Sequence, residues 1–212
     1  MCRKTVVILA DGEFPASFST RQLLAEAGTV ICCDGAADSL FAYGREPDFI
    51  VGDLDSVSDT IKARFPERLV HVEEQETCDL AKCFRFAAEQ ALQVDYLLGA
   101  SGKREDHLLG NLAQFAFFAE KFPGLLLVTD HGFFTAVKGR GEIKNVPPGT
   151  QLSFFSFDPS SKITAFGVKY PLVKRNLNWW YEATLNTAVN DTVTVESDGP
   201  MPVLIYFAGQ PF

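Results

Sequence analysis

The sequence predicts an α/β domain with a mostly parallel, Rossmann-like sheet, followed by a small antiparallel β-sandwich domain. Three observations predict this class. Residues 1–130 alternate between short apolar runs and longer segments with helical periodicity. Helix-length segments then disappear after about residue 131. Beyond that point, short runs of alternating apolar and polar residues are separated by Gly, Pro and Asn. We therefore expect two domains, over residues 1–130 and 131–212.

Each element of the first domain has its own signal. Six runs are continuously apolar, which is typical of strands buried on both faces of a parallel sheet. They lie at 5–10, 29–33, 48–52, 69–73, 95–100 and 125–130. Helices are predicted between them, near 17–27, 35–43, 58–64, 78–93 and 106–121. The fourth helix, "DLAKCFRFAAEQAL", places Leu80, Cys83, Phe84 and Ala87 at helical spacing.

The second domain is predicted from a different periodicity. Thr192–Glu196 alternates polar and apolar side chains, which is the pattern of a strand with one face on a core. Runs such as "TQLSFFSF" and "MPVLIYF" are separated by turn residues. Several short strands with this spacing indicate a small antiparallel sandwich.

Composition limits the possible functions. The 212-residue chain is 47% hydrophobic and carries a formal net charge of −8, so we do not expect broad electrostatic binding to nucleic acid. Its five cysteines have the spacing of neither a disulfide framework nor a zinc site, which predicts a reducing compartment. No run approaches the roughly 18 apolar residues of a membrane span. We therefore expect a cytoplasmic protein with no membrane partner.

Polar residues follow four of the predicted strands. Strand ends carry "CDGAAD" at 33–38, "GDLDS" at 52–56, "EEQETCDLAK" at 73–82 and "GASGKREDH" at 99–107. In an open parallel sheet, ligands bind at the carboxyl ends of the strands. We therefore expect carboxylates and cations to gather at one sheet edge. The candidate residues are Asp34, Asp53, Asp55, Gln75, Asp79, Lys82, Lys103, Arg104 and Asp106.

Each candidate also has a structural explanation. Asp34 is an ordinary turn residue, and Asp79 is favourable beside a helix dipole. Asp106 is a candidate N-cap, and Lys82 and Arg104 are candidates for solvated surface cations. Their shared location favours chemistry instead, because crowded carboxylates need a counter-charge. Oxygen-only ligation suits Mg²⁺, and nearby Arg and Lys suit a polyphosphate. The chain contains neither "GxxxxGK[ST]" nor "GxGxxG" after the first strand.

The ordered motifs resemble the thiamin pyrophosphokinase family. They are "CDGAAD", "PDFIVGDLDS", "QETCDLAK", "GASGKREDHLLGN" and "GVKYPL…LN", and they extend over essentially the whole chain. The resemblance implies Mg²⁺-dependent transfer of diphosphate from ATP to the hydroxyl of thiamin, giving thiamin diphosphate and AMP. It also implies homodimers, in which active sites lie between the α/β domain of one subunit and the β-domain of the other.

The resemblance implies roles for individual residues. Asp53, Asp55 and Asp79 would form the catalytic, metal-binding set. Asp34, Gln75, Lys82, Arg104 and Asp106 would contact nucleotide, phosphate or metal. Tyr170 and Asn186 of the β-domain would help to bind thiamin.

Three positions depart from the family pattern. Cys78 stands where the family has threonine, Lys103 replaces the second of two glycines, and Leu185 replaces a serine. Lys103 would either alter the phosphate loop or add a cation to it. Three other functions remain open: transfer to another alcohol such as a pterin, a metal-dependent phosphohydrolase or nucleotidyltransferase, and a non-catalytic nucleotide- or thiamin-binding module. The identity of the nucleotide product and binding without turnover would distinguish them.

Overall fold

A computed structural model describes residues 3–211 of the chain. It divides into two compact units. The first contains the described residues up to Gln114 together with Leu127–Asp130, and the second contains Phe115–Leu126 and the residues from His131 onward. Of the five cysteines, Cys2 lies outside the described residues, and the other four are free thiols.

The first unit is built on a mostly parallel sheet. Its strands are β1 (Val6–Leu9), β2 (Thr29–Cys33), β3 (Phe49–Gly52), β4 (Leu69–His71), β5 (Tyr96–Leu98) and β6 (Leu126–Val128). Their order is β6-β5-β1-β2-β3-β4, and the pairs from β5 through β4 are parallel. Strands β1 and β2 are almost completely buried, which explains their continuously apolar sequences. The parallel α/β class predicted from sequence is confirmed.

Helices connect these strands. They are α1 (Phe18–Glu26), α2 (Ala36–Ala42), α3 (Asp59–Arg64), α4 (Asp79–Glu89) and α5 (Glu105–Ala119), with a short 3₁₀ turn at Pro66–Arg68. Helices α1 and α3 begin after serines whose side chains cap them: Ser17 Oγ accepts from Thr20 N at 3.2 Å, and Ser58 Oγ accepts from Ile61 N at 3.3 Å.

Helix α4 is shorter than predicted. The periodicity predicts a helix to residue 93, whereas the helix ends at Glu89. Ala91 has a left-handed backbone conformation with φ of 53°, which a continuing right-handed helix does not permit. The apolar residues beyond it then lead into β5.

The second unit is antiparallel. Its strands are β7 (Gly132–Val137), β8 (Arg140–Lys144), β9 (Gln151–Ser156), β10 (Ile163–Phe166), β11 (Leu172–Arg175), β12 (Asn186–Thr187), β13 (Thr192–Ser197) and β14 (Val203–Ala208). They form two runs of neighbouring strands, β12-β9-β14-β7 and β11-β10-β13-β8. Alternate residues of β9 and β13 are buried, so each strand has one face on a core. The predicted antiparallel β-domain is confirmed.

Across residues 3–211, no helix combines the length and apolar character that crossing a membrane requires.

Candidate active site

The first unit has a cavity at the carboxyl ends of its parallel strands. The chain runs outward from β1 to β4 and then returns to β5 on the other side of β1, so the strand order reverses between β1 and β5. Ligands bind at such a reversal in open α/β sheets. The cavity has a volume of about 440 Å³. Its lining includes Asp11, Gly12, Cys33, Asp34, Gly35, Ser56, Cys78, Asp79, Ser101, Lys103, Arg104, Asp106, His107, Asn111 and Gln114.

Main-chain contacts hold the two loops at this reversal together. The backbone N–H of Gly12 donates to Gly99 O at 2.7 Å, and that of Glu13 donates to Ser101 O at 2.7 Å. A Cβ atom at residue 12 would lie only 2.2 Å from Gly99 O, so a side chain there is incompatible with the close approach. The loop after β1 is therefore fixed to the loop after β5.

An acidic cluster lies beside this cavity, at the ends of β2 and β3. Asp34, Asp53 and Asp55 each offer an oxygen atom, and the three oxygens lie within 4.8 Å of one another. Among the described residues this cluster contains Asp34 in place of the predicted Asp79. Asp34 also lines the cavity, whereas Asp53 and Asp55 are not part of its lining.

Asp34 is the most constrained member of the cluster. Its side chain is buried, and Oδ2 accepts a hydrogen bond from Ser56 N at 3.0 Å. Oδ1 is buried with no hydrogen-bond partner in the structure. Burial raises the pKa of Asp34, and the negative charges of Asp79 and Asp53 raise it further. This buried, unpartnered oxygen is suited to a cation.

Backbone geometry brings these carboxylates together. Asp34 and Leu54 both have positive φ angles, of 42° and 66°, which are unfavourable for residues with a side chain. A Cβ atom at residue 52 would lie 3.0 Å from Asp34 Cβ and 3.1 Å from Asp79 Oδ1. Gly52 therefore allows the acidic side chains to approach each other closely.

A hydrogen-bonded group next to the cluster contains three predicted site residues. Gln75 Nε2 donates to Asp53 Oδ2 at 2.9 Å, and this bond is the main reason that the pKa of Asp53 is lowered. Lys82 Nζ donates to Asp79 Oδ1 at 3.1 Å and lies 3.8 Å from Asp53 Oδ2. Gln75 thus joins the acidic cluster to the loop that precedes α4.

One interpretation of the sequence made Lys82 a solvated surface cation, and the structure contradicts it. The residue is only 3% exposed and lies on the buried face of α4. Burial acts to lower its pKa, but the hydrogen bond and charge of Asp79 and the charge of Asp53 outweigh this effect and raise it. The ammonium group is therefore held as a buried cation between two carboxylates.

Arg104 and Asp106 form an ion pair at the other end of the cavity. Arg104 Nε donates to Asp106 Oδ1 at 3.0 Å, and Nη2 donates to Oδ2 at 2.6 Å. These bonds lower the pKa of Asp106 and raise that of Arg104. Helix α5 begins at Glu105, so Asp106 lies in its first turn and is not the N-cap. Both side chains are exposed and line the cavity.

Several lining residues were missed by the sequence interpretation. Asp11 follows β1, and its Oδ1 accepts from Lys103 Nζ at 2.9 Å. Gln114 Nε2 donates to Cys78 Sγ at 2.8 Å, which connects α5 to the residue before α4. Asp11 had a usable signal, because it follows a predicted strand as Asp34 and Asp53 do. Gln114 had none, since its contact requires the packing of two helices.

Tyr170 and Asn186 belong to the second unit and lie next to each other. Tyr170 N donates to Asn186 Oδ1 at 3.1 Å, and Asn186 Nδ2 donates to Tyr170 O at 2.8 Å. Asn186 is buried, whereas the Tyr170 side chain is 60% exposed. The asparagine therefore holds the backbone that presents the tyrosine ring.

The adjacent tryptophans differ in their environments. Trp180 Nε1 donates to Ser156 O at 3.0 Å, and its ring packs edge-on against Phe157 with centroids 5.2 Å apart. Trp179 is 65% exposed. Trp180 is 39% exposed but has these contacts within the second unit, while Trp179 presents most of its ring at the surface of that unit.

These features define the class of protein. The first unit is an open-sheet α/β structure with a ligand-type cavity at its strand ends and a carboxylate cluster suited to a divalent cation. An antiparallel β-unit follows it in the chain.

Comparison with known proteins identifies the family. Residues 20–124 match the model of the thiamin pyrophosphokinase catalytic domain, and residues 132–206 match that of the thiamin pyrophosphokinase substrate-binding domain. The chain belongs to the thiamin pyrophosphokinase family. Thiamine pyrophosphokinase 3 of Oryza sativa subsp. japonica is 31% identical to it over an alignment that covers 39% of this chain and 40% of the rice protein.

Solved structures share the fold. Thiamin pyrophosphokinase from Candida albicans superposes with a TM-score of 0.76 at 18% identity, covering 95% of this chain and 89% of that one. Thiamine pyrophosphokinase from Bacillus subtilis gives a TM-score of 0.75 at 23% identity, covering 99% and 100%.

Proposed function

We propose that this protein transfers a diphosphate group from ATP to the hydroxyl of thiamin, giving thiamin diphosphate and AMP. One observation carries the proposal: a tight carboxylate cluster, with a buried unpartnered oxygen on Asp34, stands at the strand ends of the first unit. The matches to both family domains supply the substrate class. Residues 1–130 would form the catalytic, ATP-binding domain, and residues 131–212 the thiamin-binding domain.

The residues present fit a bound Mg²⁺ ion. Asp34, Asp53 and Asp55 offer oxygen atoms alone, which Mg²⁺ prefers, and Asp34 Oδ1 has no partner in the protein. We propose that these three carboxylates hold the ion, with Asp79 as the fourth member of the acidic set. When bound, Mg²⁺ would offset the negative charge of the ATP phosphates.

Asp79 is the proposed acceptor of the thiamin hydroxyl proton. The hydroxyl oxygen would form a bond to the β-phosphorus of ATP. At the same time, the bond between that phosphorus and the oxygen that bridges the α- and β-phosphates would break. AMP would leave with the bridging oxygen, and the hydroxyl proton would move to the Asp79 carboxylate. Lys82 supports this role, because its hydrogen bond to Oδ1 fixes that carboxylate within the cavity lining.

The proposed phosphate contact comes from Arg104, while Gln75 and Asp106 position the charged groups beside it. Gln75 orients Asp53 through its hydrogen bond, so we assign it a positioning role. Arg104 uses two of its five N–H donors on Asp106, which leaves donors for phosphate oxygens. Asp106 would hold the guanidinium in place.

The second unit would supply the thiamin contacts. The exposed Tyr170 ring is suited to stacking on a cationic aromatic ligand, and Asn186 would position it through the two backbone hydrogen bonds. Leu185 is 80% exposed beside them.

We also propose a cytoplasmic homodimer with shared active sites. Exposed apolar side chains on the second unit support an interface, among them Phe166, Val173, Trp179, Tyr181 and Leu185. The free thiols support a reducing compartment. Light scattering should give twice the mass of one chain, and a monomeric mass under turnover conditions would exclude a shared site.

The first experiment is incubation with ATP, Mg²⁺ and thiamin, followed by chromatographic measurement of AMP and thiamin diphosphate. We expect equal amounts of both products. Asp53→Asn should lower the rate at least about 100-fold, because it removes a charge from the proposed metal site. Glu67→Gln is the matched control, since Glu67 is an exposed carboxylate outside the cavity lining.

Each alternative outcome has a distinct meaning. AMP formed only with another alcohol would replace the acceptor. ADP or free phosphate as the product would favour a phosphohydrolase. Binding of ATP and thiamin without turnover would favour a non-catalytic module. Full activity in the Asp53→Asn variant would contradict the proposed site.

A further inference from the structure

Lys103 is a cation of the cavity lining to which the function above assigns no role. The family pattern has glycine at this position, and the sequence left two explanations open. Lys103 either reshapes the loop or adds a positive charge to it. The structure provides a direct observation: Lys103 Nζ donates to Asp11 Oδ1 at 2.9 Å, and both residues line the cavity.

Contacts with Glu13 hold the loop that carries Lys103 in place. Gly102 has a φ of 92°, and a Cβ atom there would lie 2.4 Å from the side chain of Glu13. The hydrogen bond from Glu13 N to Ser101 O joins the same two loops. Lys103 is therefore accommodated without loss of the loop closure, and its side chain points toward the end of β1.

Asp11, the partner of Lys103, also faces the turn that carries Asp34. A Cβ atom at residue 35 would lie 3.3 Å from Asp11 Oδ2, so the Asp11 carboxylate reaches toward the turn that contains Asp34. The Lys103–Asp11 pair thus extends from the loop after β5 to the turn after β2. This is the region that a polyphosphate bound at the carboxylate cluster would share.

The charges of the cavity make this lysine important. Four carboxylates line the described cavity, at Asp11, Asp34, Asp79 and Asp106, against two permanent cations, Lys103 and Arg104. Arg104 already makes two bonds to Asp106. Lys103 has three N–H donors and uses one on Asp11. Both side chains of this pair are about half exposed, so the pair contributes little stability and is readily rearranged.

We propose that Lys103 is a phosphate-contacting residue of the nucleotide site, and that Asp11 is the carboxylate with which its ammonium group pairs when no phosphate is bound. This inference rests on the proposed function for its ligand, a nucleoside triphosphate. When the phosphates bind, the N–H donors of Lys103 contact their oxygens, and the exposed bond to Asp11 is exchanged at little cost in stability.

The test measures binding, so that it does not depend on turnover. Dissociation constants for Mg-ATP and for tripolyphosphate are measured by calorimetry without thiamin. The proteins are the parent, Lys103→Met, Asp11→Asn and the double variant. Lys138→Met is the matched control, because Lys138 also lies in an exposed ion pair, with Glu120. Methionine keeps the length of the lysine stem while removing its charge.

Lys103→Met should weaken Mg-ATP binding about tenfold, the loss expected for one charge-assisted hydrogen bond. Asp11→Asn should bind Mg-ATP at least as tightly as the parent, because a competing carboxylate is removed. The double variant should remain about tenfold weaker than Asp11→Asn alone. Lys138→Met should bind like the parent.

Two results obtained with the variants would overturn the inference. If the double variant binds Mg-ATP as tightly as Asp11→Asn does, then Lys103 acts only by neutralising Asp11 and does not contact phosphate. If Lys103→Met binds both anions like the parent, Lys103 contacts no phosphate. A parent that binds Mg-ATP but forms no thiamin diphosphate would contradict the transfer reaction and leave the Lys103 result standing. A parent that binds neither anion would contradict both proposals.

Discussion

The acidic cluster beside the cavity, here the acidic end of the site, and the cations of the cavity lining, here the basic end, are built in different ways. At the ends of β2 and β3, carboxylates are crowded around a buried, unpartnered oxygen, and two residues adopt positive φ angles. At the end of β5, Lys103 and Arg104 are exposed and each is paired with a carboxylate. The acidic end therefore has an electrostatic cost when no cation is bound, whereas the basic end consists of exposed ion pairs that can exchange partners.

Because of this difference, we expect a cation to bind at the carboxylate cluster and an anion to bind at Lys103 and Arg104. Crowded carboxylates repel each other, so a divalent cation should stabilise the folded protein by binding to it selectively. Exposed ion pairs gain little free energy from their own contact, so a phosphate can replace one partner at small cost. We expect substitutions at the acidic end to have the larger effects.

The largest effect should come from Gly52→Ala. The added methyl group would meet Asp34 Cβ at 3.0 Å and Asp79 Oδ1 at 3.1 Å, so these neighbours would have to shift by a few tenths of an ångström. Thiamin-dependent AMP formation should fall at least about 100-fold, with a loss of roughly 1–3 kcal/mol in the free energy of unfolding. Kinetics and urea denaturation measure the two quantities. For stability, Gly110→Ala is the reference, because its added Cβ has no neighbour within 4 Å and alanine inside helix α5 should raise the free energy of unfolding rather than lower it. Unchanged turnover would show that the close approach is not required.

Asp34→Asn should produce an intermediate effect. When no metal is bound, this substitution should raise the free energy of unfolding, whereas Gly52→Ala should lower it. Because burial raises the pKa of Asp34 in the folded state, folding favours its protonated form. Its ionisation therefore costs stability at neutral pH, and that cost disappears as the pH falls below the ordinary carboxyl range.

In EDTA at pH 7, Asp34→Asn should accordingly be more stable than the parent by about 1 kcal/mol. The difference should vanish near pH 3, where the carboxyl is protonated in both states. With Mg²⁺ present, the parent should gain more thermal stability than the variant. A parent that is more stable in EDTA at neutral pH would show that the Asp34 carboxylate is not strained in the absence of metal.

The smallest effect should come from Asp11→Asn at the basic end. The Asp11 and Lys103 side chains are 43% and 55% exposed, so loss of their ion pair should change the free energy of unfolding by no more than about 0.5 kcal/mol. Urea denaturation at low and high salt measures this. A loss above about 1.5 kcal/mol would mean that the basic end is also structurally required.

The sequence predicted the fold to the extent that local patterns determine it. The predicted helix near 17–27 matches Phe18–Glu26 because Ser17 supplies a cap, and the predicted helix at 106–121 matches Glu105–Ala119 closely. The buried strands were recognisable from their continuous apolar runs. The helix predicted at 78–93 extended too far because apolar periodicity continues past Ala91, whose left-handed conformation no local signal indicates.

The candidate site was predictable only in part. That acidic residues follow several strands is visible in the sequence, and parallel strands bring them to one edge. The pair of Asp11 and Lys103 is separated by 92 residues, so finding it requires the knowledge that β5 lies beside β1. The burial of Lys82 contradicts the usual preference of lysine for solvent, and only its two carboxylate neighbours explain it. The unpartnered oxygen of Asp34 depends on the backbone turn at that residue.

The bonds between the loops after β1 and β5 have a consequence for how this protein can diverge. The backbone N–H groups of Gly12 and Glu13 donate to the opposite loop, so this contact uses main-chain atoms alone once residue 12 is glycine. Positions such as 78 and 103 can then change chemical character while the scaffold beneath them persists. Residues of the cavity lining can therefore be exchanged without a change in the main-chain contacts that hold their loops.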